Sequence, residues 1–142
     1  MLLRAKLPFL DQYNTSRRAA AQNYSKAFEG HRNIIVPTLI HTCGSEKRDC
    51  DCHVFHQYTL RITNGQRDAL VKHLGDLGIP AGVYYPIPLH LQKAYLDDRY
   101  RKTDFPVTDR LVGEVISLPM HTELDDEQIA YITSAILDFI HS

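Results

Sequence analysis

Side chains able to do chemistry concentrate in two stretches of this chain, His41 to Tyr58 and Gly82 to Gln92. The first gathers His41, Cys43, Cys50, Cys52, His53 and His56. Thiolates and imidazoles so close together suggest zinc, which takes four N or S ligands at tetrahedral corners. The spacing C-x6-C-x-C-H-x2-H suits that geometry poorly. Zinc sites are ordinarily built on C-x2-C or H-x3-H, and two ligands one residue apart on an extended chain strain a tetrahedron. A non-catalytic zinc-binding or interaction module using Cys43, Cys50, Cys52, His53 and His56 is therefore the minor reading. The second stretch sets Tyr84, Tyr85, His90 and Gln92 in a segment stiffened by Pro86 and Pro88. An imidazole titrates near neutrality and can donate or accept a proton. A phenol offers an apolar ring with a hydrogen-bonding tip. Such groups suit the binding of a polar ligand.

The elements that must hold these residues can be read from periodicity. Residues 1 to about 28 spell a helix, with Leu3, Leu7 and Leu10 at helical spacing and Pro8 marking a kink or first turn. No Ser, Thr, Asp or Asn cap precedes Leu2, so the helix reads as one begun in mid-stride, a piece of something longer. Ile34 to Val36 forms a short strand stopped by Pro37, and residues 38–52 have no usable period. His53 to Ile62 alternates, with Val54, His56, Tyr58, Leu60 and Ile62 on one largely buried face. On that pattern His56 and Tyr58 are satisfied core residues first and ligands second, and His53 at the strand entrance is similar. Arg61, on the other face, reads as a solvated strand-edge cation. Asn64-Gly65 turns the chain into a helix carrying Leu70, Val71, Leu74 and Leu77 and ending at Gly78.

Ala81 to Tyr85 is expected to be a second strand, ended by Pro86 and Pro88, with Tyr84 and Tyr85 on opposite faces and one of them in the core. A short helix is expected over Leu91 to Leu96, with Gln92 capping it. Pro106 suits the first turn of a helix carrying Val107, Leu111 and Val112. Val115 to Leu118 is a third strand. Asp125 with Gln128 resembles a capping box opening a last helix with Ile129, Ile132, Ile136, Phe139 and Ile140 on one side. The sum is an α+β fold, a small and mainly antiparallel sheet of three to four strands covered by helices, with a long helix at the N-terminus.

Bulk properties exclude several classes. At 142 residues the chain suits a single core. Seventeen acidic against sixteen basic residues leave a net charge near zero and no Lys/Arg stripe, which argues against nucleic acid. Arg4 and Lys6 break the opening apolar run before it becomes a signal peptide, and no run is long enough to cross a bilayer. Three cysteines bunched in one polar stretch do not make a secreted disulfide scaffold, so the cytoplasm is the expected location.

Six segments, taken in order along the chain, resemble one family. His53 to Tyr58 resembles its H-V-(Y/F/W)-H-x-(Y/F) strand. Gly78 to Gln92 matches its G-I-x-x-G-x-x-Y-P-x-P-x-H-x-Q turn. Asp104-Phe105-Pro106, Ser117 to Met120 and Glu127-Gln128-Ile129 follow, and Lys6-Leu7-Pro8 through Arg17-Arg18 looks like its long interdomain helix. The family is that of the sugar aminotransferases known by the names DegT, DnrJ, EryC and StrS. Each motif alone is weak, but the ordered set covers nearly the whole chain.

The resemblance implies residues 1–30 as a remnant of the interdomain helix and 31–142 as the small C-terminal domain of a homodimeric, pyridoxal-phosphate-dependent enzyme. In the complete enzyme an amino group, commonly from glutamate, would pass to a keto-sugar nucleotide. The Schiff-base lysine and the other cofactor contacts would lie in a large domain that this sequence does not match, so the chain alone is expected to be inactive and to hold no covalent cofactor. No catalytic residue is assigned in it. Carried over by position, His90 would hydrogen-bond a sugar hydroxyl or phosphate, Tyr85 would pack on the sugar ring, and Tyr84, where the family often has His, would add a contact. The family's dehydratase branch, in which the cofactor lysine is replaced, is the alternative reading of the activity. Leu2, Leu3, Leu7 and Leu10, left without a large-domain partner, are expected to drive self-association.

Overall fold

The computed structural model describes residues 2–39, 53–101 and 103–141. Its elements run α1 (Leu2–Lys6), a 3-10 turn (Leu7–Phe9), α2 (Leu10–Ala27), β1 (Ile34–Ile35), β2 (Tyr58–Ile62) and α3 (Arg67–Asp76). Two further 3-10 turns (Leu89–Leu91 and Lys93–Tyr95) lead to α4 (Pro106–Glu114), β3 (Val115–Leu118) and α5 (Asp126–His141). Pro8 is accommodated as the sequence suggested. It sits in the first turn of the 3-10 segment, where a missing N–H costs nothing, and the long N-terminal helix is thereby broken into α1 and α2.

The sheet is antiparallel in the order β1-β2-β3. Tyr58 stands opposite Leu118, Leu60 opposite Ile116, and Ile62 opposite Ile34. These six side chains are buried and meet Ala20, Ala21 and Tyr24 of α2, Leu70 and Leu74 of α3, and Ile129, Ile132 and Ile136 of α5 in one core. Each fully buried aliphatic side chain there contributes about 1.5–3 kcal/mol relative to exposure. Tyr24 and Tyr58 satisfy their hydroxyls inside it. Tyr24 donates to the Pro119 carbonyl at 3.1 Å, and Tyr58 shares a hydrogen bond with Ser25 at 2.9 Å.

Two helix ends follow the expected rules. Gly78 takes φ +73° after the last turn of α3. Its N–H bonds the Gly75 carbonyl at 3.0 Å while the Ile79 N–H reaches the Leu74 carbonyl at 2.8 Å, the paired bonds of a Schellman stop. At the start of α5, the Gln128 N–H donates to Asp125 Oδ1 at 2.7 Å and the Asp125 N–H to Gln128 Oε1 at 3.2 Å, a reciprocal capping box.

Several expectations are corrected. The strand does not begin at His53: β2 covers only Tyr58–Ile62. Phe55 adopts φ +45° and turns its ring into the core, so the register inverts there. The His53 ring accepts the Phe55 N–H at 3.0 Å, and Arg17 donates to the carbonyls of Phe55 and His56, both at 3.2 Å. Side chains thus satisfy a backbone that a ladder was expected to pair. His56 and His53 are consequently exposed and not core. Similarly, Ala81 to Tyr85 is not a strand, because only Gly82 pairs with β3. The helix expected over Leu91 to Leu96 is replaced by the two 3-10 turns. Gln92 does not cap with its side chain, which instead donates back to the Ile87 carbonyl at 3.3 Å. Arg61 is half-buried and binds Glu114 Oε2 through Nε at 2.8 Å and Nη2 at 2.6 Å, so its acidic partner is internal. Among the described residues, no helix is long and apolar enough to cross a membrane.

Candidate functional site

Gly82 starts the segment that carries the predicted site residues. It exchanges backbone hydrogen bonds with Ser117 of β3, its N–H donating to the Ser117 carbonyl at 3.0 Å and its own carbonyl accepting the Ser117 N–H at 2.7 Å. Ser117 is itself buried and tied to Thr59 of β2 by a 2.7 Å hydroxyl bond. The segment therefore leaves the sheet from a fixed point. Beyond it Tyr84 and Tyr85 both stand in solvent, 54% and 76% exposed, with ring centroids 6.3 Å apart at 75°. The expectation that one of them enters the core is corrected. Pro86 and Pro88 donate no backbone hydrogen bonds, so the chain runs free of the sheet until the turn at Leu89–Leu91.

His90 lies in that turn. Its ring packs on Phe105 at 4.7 Å, and Phe105 in turn meets Tyr100 at 5.9 Å. The His90 Nε2 atom is buried and has no hydrogen-bond partner among the described residues. An unpaired buried imidazole nitrogen costs free energy on the order of 1–3 kcal/mol, which a ligand group would recover. The ring lines a cavity of about 610 Å³ together with Leu89, Tyr95, Leu96, Tyr100 and Phe105. Its charged rim is Asp97 and Arg99, joined by side-chain bonds of 2.8–3.1 Å. Arg99 and its N–H hold the Asp97 carboxyl below its usual range, and the guanidinium lies 5.7 Å from the Tyr100 ring centre.

The three predicted residues are thus only partly brought together. His90 faces the cavity, whereas Tyr84 and Tyr85 are on the surface of the same segment and do not line it. Phe105, Tyr100 and the Asp97–Arg99 pair were not among the predicted site residues. Phe105 had one signal, the Asp104-Phe105-Pro106 motif. The Asp97–Arg99 pair had none, since a charge two residues from its opposite is ordinary on a loop.

The metal reading falls mostly outside the described residues, which do not include Cys43, Cys50 or Cys52. Among the described residues, no cluster of three or more His, Cys, Asp or Glu forms a metal site. A pyridoxal phosphate centre needs a lysine held against the cofactor in a shielded pocket. Lys6, Lys26, Lys72 and Lys93 are all exposed, Lys72 is engaged with Asp76 at 2.6 Å, and none lines the cavity. Lys47 and Lys102 lie outside the described residues. The described residues do not by themselves fit that cofactor.

The profile of the DegT/DnrJ/EryC1/StrS aminotransferase family matches residues 1–137. A UDP-N-acetyl-3-dehydro-alpha-D-glucosamine 3-aminotransferase of Acidithiobacillus ferrooxidans is 38% identical over 141 residues, 99% of this chain and 35% of its own length. Among solved structures, DesV of S. venezuelae superposes with a TM-score of 0.86 at 28% identity, covering 99% of this chain and 35% of DesV. NtdA of Bacillus subtilis, solved with bound cofactor PMP, superposes at 0.75 with 22% identity over 92% of this chain and 29% of its own, a likeness of fold. The chain spans about a third of the length of the relatives it matches.

Proposed function

Because the chain belongs to the DegT/DnrJ/EryC1/StrS aminotransferase family, we propose that it acts as the small-domain third of an enzyme that transfers an amino group to a keto-sugar nucleotide. The observation that carries this reading is the match of nearly the whole chain to about a third of the length of a UDP-sugar 3-aminotransferase. Glutamate is the proposed amino donor and the cytoplasm the proposed location. Pyridoxal phosphate, when bound, supplies the electron sink for the transfer. The described lysines of this chain are exposed, and in this reading the cofactor is attached elsewhere in the complete enzyme.

In this reading the chain's own part is to receive the sugar. His90 Nε2 offers an unpaired hydrogen-bonding nitrogen to a hydroxyl or phosphate oxygen. Tyr85 and Tyr84 offer aromatic faces to the apolar side of the sugar ring and hydroxyls to its polar groups. A homodimer is the proposed assembly. The exposed Leu3, Leu7 and Leu10 on the N-terminal helical segment are apolar groups that association would cover.

The test is a fusion in which this chain replaces the corresponding third of the Acidithiobacillus enzyme. Glutamate-dependent amination of that enzyme's keto-sugar nucleotide is expected. Substituting His90→Ala in the fusion should raise KM by about 5- to 10-fold, the value of one hydrogen bond to a polar group. A fusion that folds and retains pyridoxal phosphate yet shows no turnover overturns the proposal. The isolated chain, treated with pyridoxal phosphate and borohydride, should give no stoichiometric lysine adduct.

A further inference from the structure

Among the described glycines, Gly82 alone has a neighbour in the space its missing side chain would occupy. A Cβ built there would lie 2.8 Å from Cε2, Cζ and Oη of Tyr84, whereas the other described glycines have nothing within 4 Å. Carbon atoms pack at about 3.5–4.0 Å, so the tip of the Tyr84 ring occupies space that only a glycine leaves open. The two sides of this contact differ in freedom. Gly82 is pinned by its paired bonds to Ser117, and Ser117 by its hydroxyl bond to Thr59. Tyr84 is the end of a side chain that is 54% exposed. If a methyl group were added, the ring would have to move.

We infer that Gly82 is a positioning residue: its bare backbone seats the Tyr84 ring, fixing the phenol against the edge of β3 and leaving the remaining ring surface open to a ligand. The ring so held meets Tyr85 edge-on at 75°. A pyranose approaching this surface meets two mutually oriented aromatic rings, one fixed by the sheet through Gly82 and the other by contact with the first. Pre-setting a side chain in its binding orientation removes the ordering cost otherwise incurred on association. The role of Gly82 in substrate binding rests on the proposed reading that Tyr84 contacts the sugar. The seat itself does not.

The experiment has two arms. In the 142-residue chain, proton NMR should show cross-relaxation between the Gly82 α-protons and the Tyr84 ring. In Gly82→Ala the Tyr84 ring signals should move toward solvent-exposed values, with the melting temperature kept within about 4 °C because an exposed side chain absorbs the change. Absence of that cross-relaxation overturns the inference whatever the protein's activity. In the fusion enzyme, Gly82→Ala should raise KM for the sugar nucleotide by about 5-fold with kcat within about twofold. Tyr84→Ala should raise KM at least as much, and the double variant no further than Tyr84→Ala alone. If Tyr84→Ala raises KM and Gly82→Ala does not, the positioning role is wrong and the substrate contact stands. If Tyr84→Ala leaves KM unchanged, the substrate contact fails and the role of Gly82 in binding fails with it.

Discussion

Raising the pH should unfold this domain through two tyrosines, and Tyr58 allows the size of the effect to be worked out. Its hydroxyl is buried in the core, 2.9 Å from Ser25 Oγ, with the Tyr24 ring 5.1 Å away. Burial disfavours the phenolate and raises the Tyr58 pKa from 10.0 to about 12, despite the opposing effect of the Ser25 hydrogen bond. Tyr24 is raised further, again first by burial and then by the neighbouring Tyr58 charge. The sign follows from which state holds its proton longer. Below pH 10 both states keep the phenol protonated and the full stability is present. As the pH rises from about 10 toward 12 the unfolded chain ionises first, so stability is lost across that window. For Tyr58 alone the loss between about pH 8 and about pH 11.5 comes to about 2 kcal/mol, and Tyr24 adds a similar amount. Urea midpoints should be followed over this range for the parent chain and for Tyr58→Phe. The variant starts about 1 kcal/mol lower at neutral pH through the lost hydrogen bond to Ser25, and its stability then falls less steeply by about 2 kcal/mol, so the two curves cross and the variant ends about 1 kcal/mol the more stable. Comparing the two cancels the ionisation of lysines. Parallel curves would refute the reasoning, since they would mean that Tyr58 ionises in the folded chain as readily as in the unfolded one.

Two further outcomes are expected. Asp125→Ala removes the side-chain acceptor of the Gln128 N–H at the start of α5 and should cost about 1 kcal/mol in urea unfolding, with Gln128→Ala adding little beyond it because the pair acts as one unit. Sedimentation of the chain should show mass rising with concentration, because Leu3 and Leu7 are 87% and 66% exposed on the N-terminal helical segment; Leu3→Glu with Leu7→Glu should return a monomer, and a parent chain that stays monomeric at high concentration would refute this.

Regular packing was the legible part of this fold. The 3.6-residue pattern of α5, the capping residues Asp125 and Gln128, the stop at Gly78 and the proline opening α4 are local signals, each satisfied by neighbours within a few residues. Alternation misled where backbone partners came from far along the chain. Nothing near Phe55 announces that Arg17, 38 residues away, will satisfy its carbonyl and free it from the sheet. The same holds for Gly82, whose single bridge to Ser117 ends the pairing that the run from Ala81 to Tyr85 suggested. In the candidate site, His90 was legible from its motif, and the structure places it on a cavity. That cavity is assembled mostly from the 3-10 turns, the loop of residues 96–100 and Phe105, stretches without a period to read, with Thr108 of α4.

The separation between core and candidate site has a consequence for how the site can be tested. The core residues come from α2, the three strands, α3 and α5, together with Phe28, Phe55 and Ile79, whereas Tyr84, Tyr85 and His90 lie on a segment joined to the sheet by the bonds of Gly82. None of the three belongs to the core cluster. Truncating an exposed side chain away from caps and buried networks typically changes stability by no more than about 0.5 kcal/mol. A loss of substrate affinity in Tyr84→Ala or Tyr85→Ala can therefore be read as lost contact. His90 differs from them, because its ring supports Phe105 at 4.7 Å while its Nε2 has no partner. A His90→Gln variant gives up that packing but keeps a hydrogen-bonding group, while His90→Phe keeps an aromatic ring and removes the nitrogen. If affinity follows the nitrogen, Gln should retain more of it than Phe; if His90 acts through Phe105, the order should reverse.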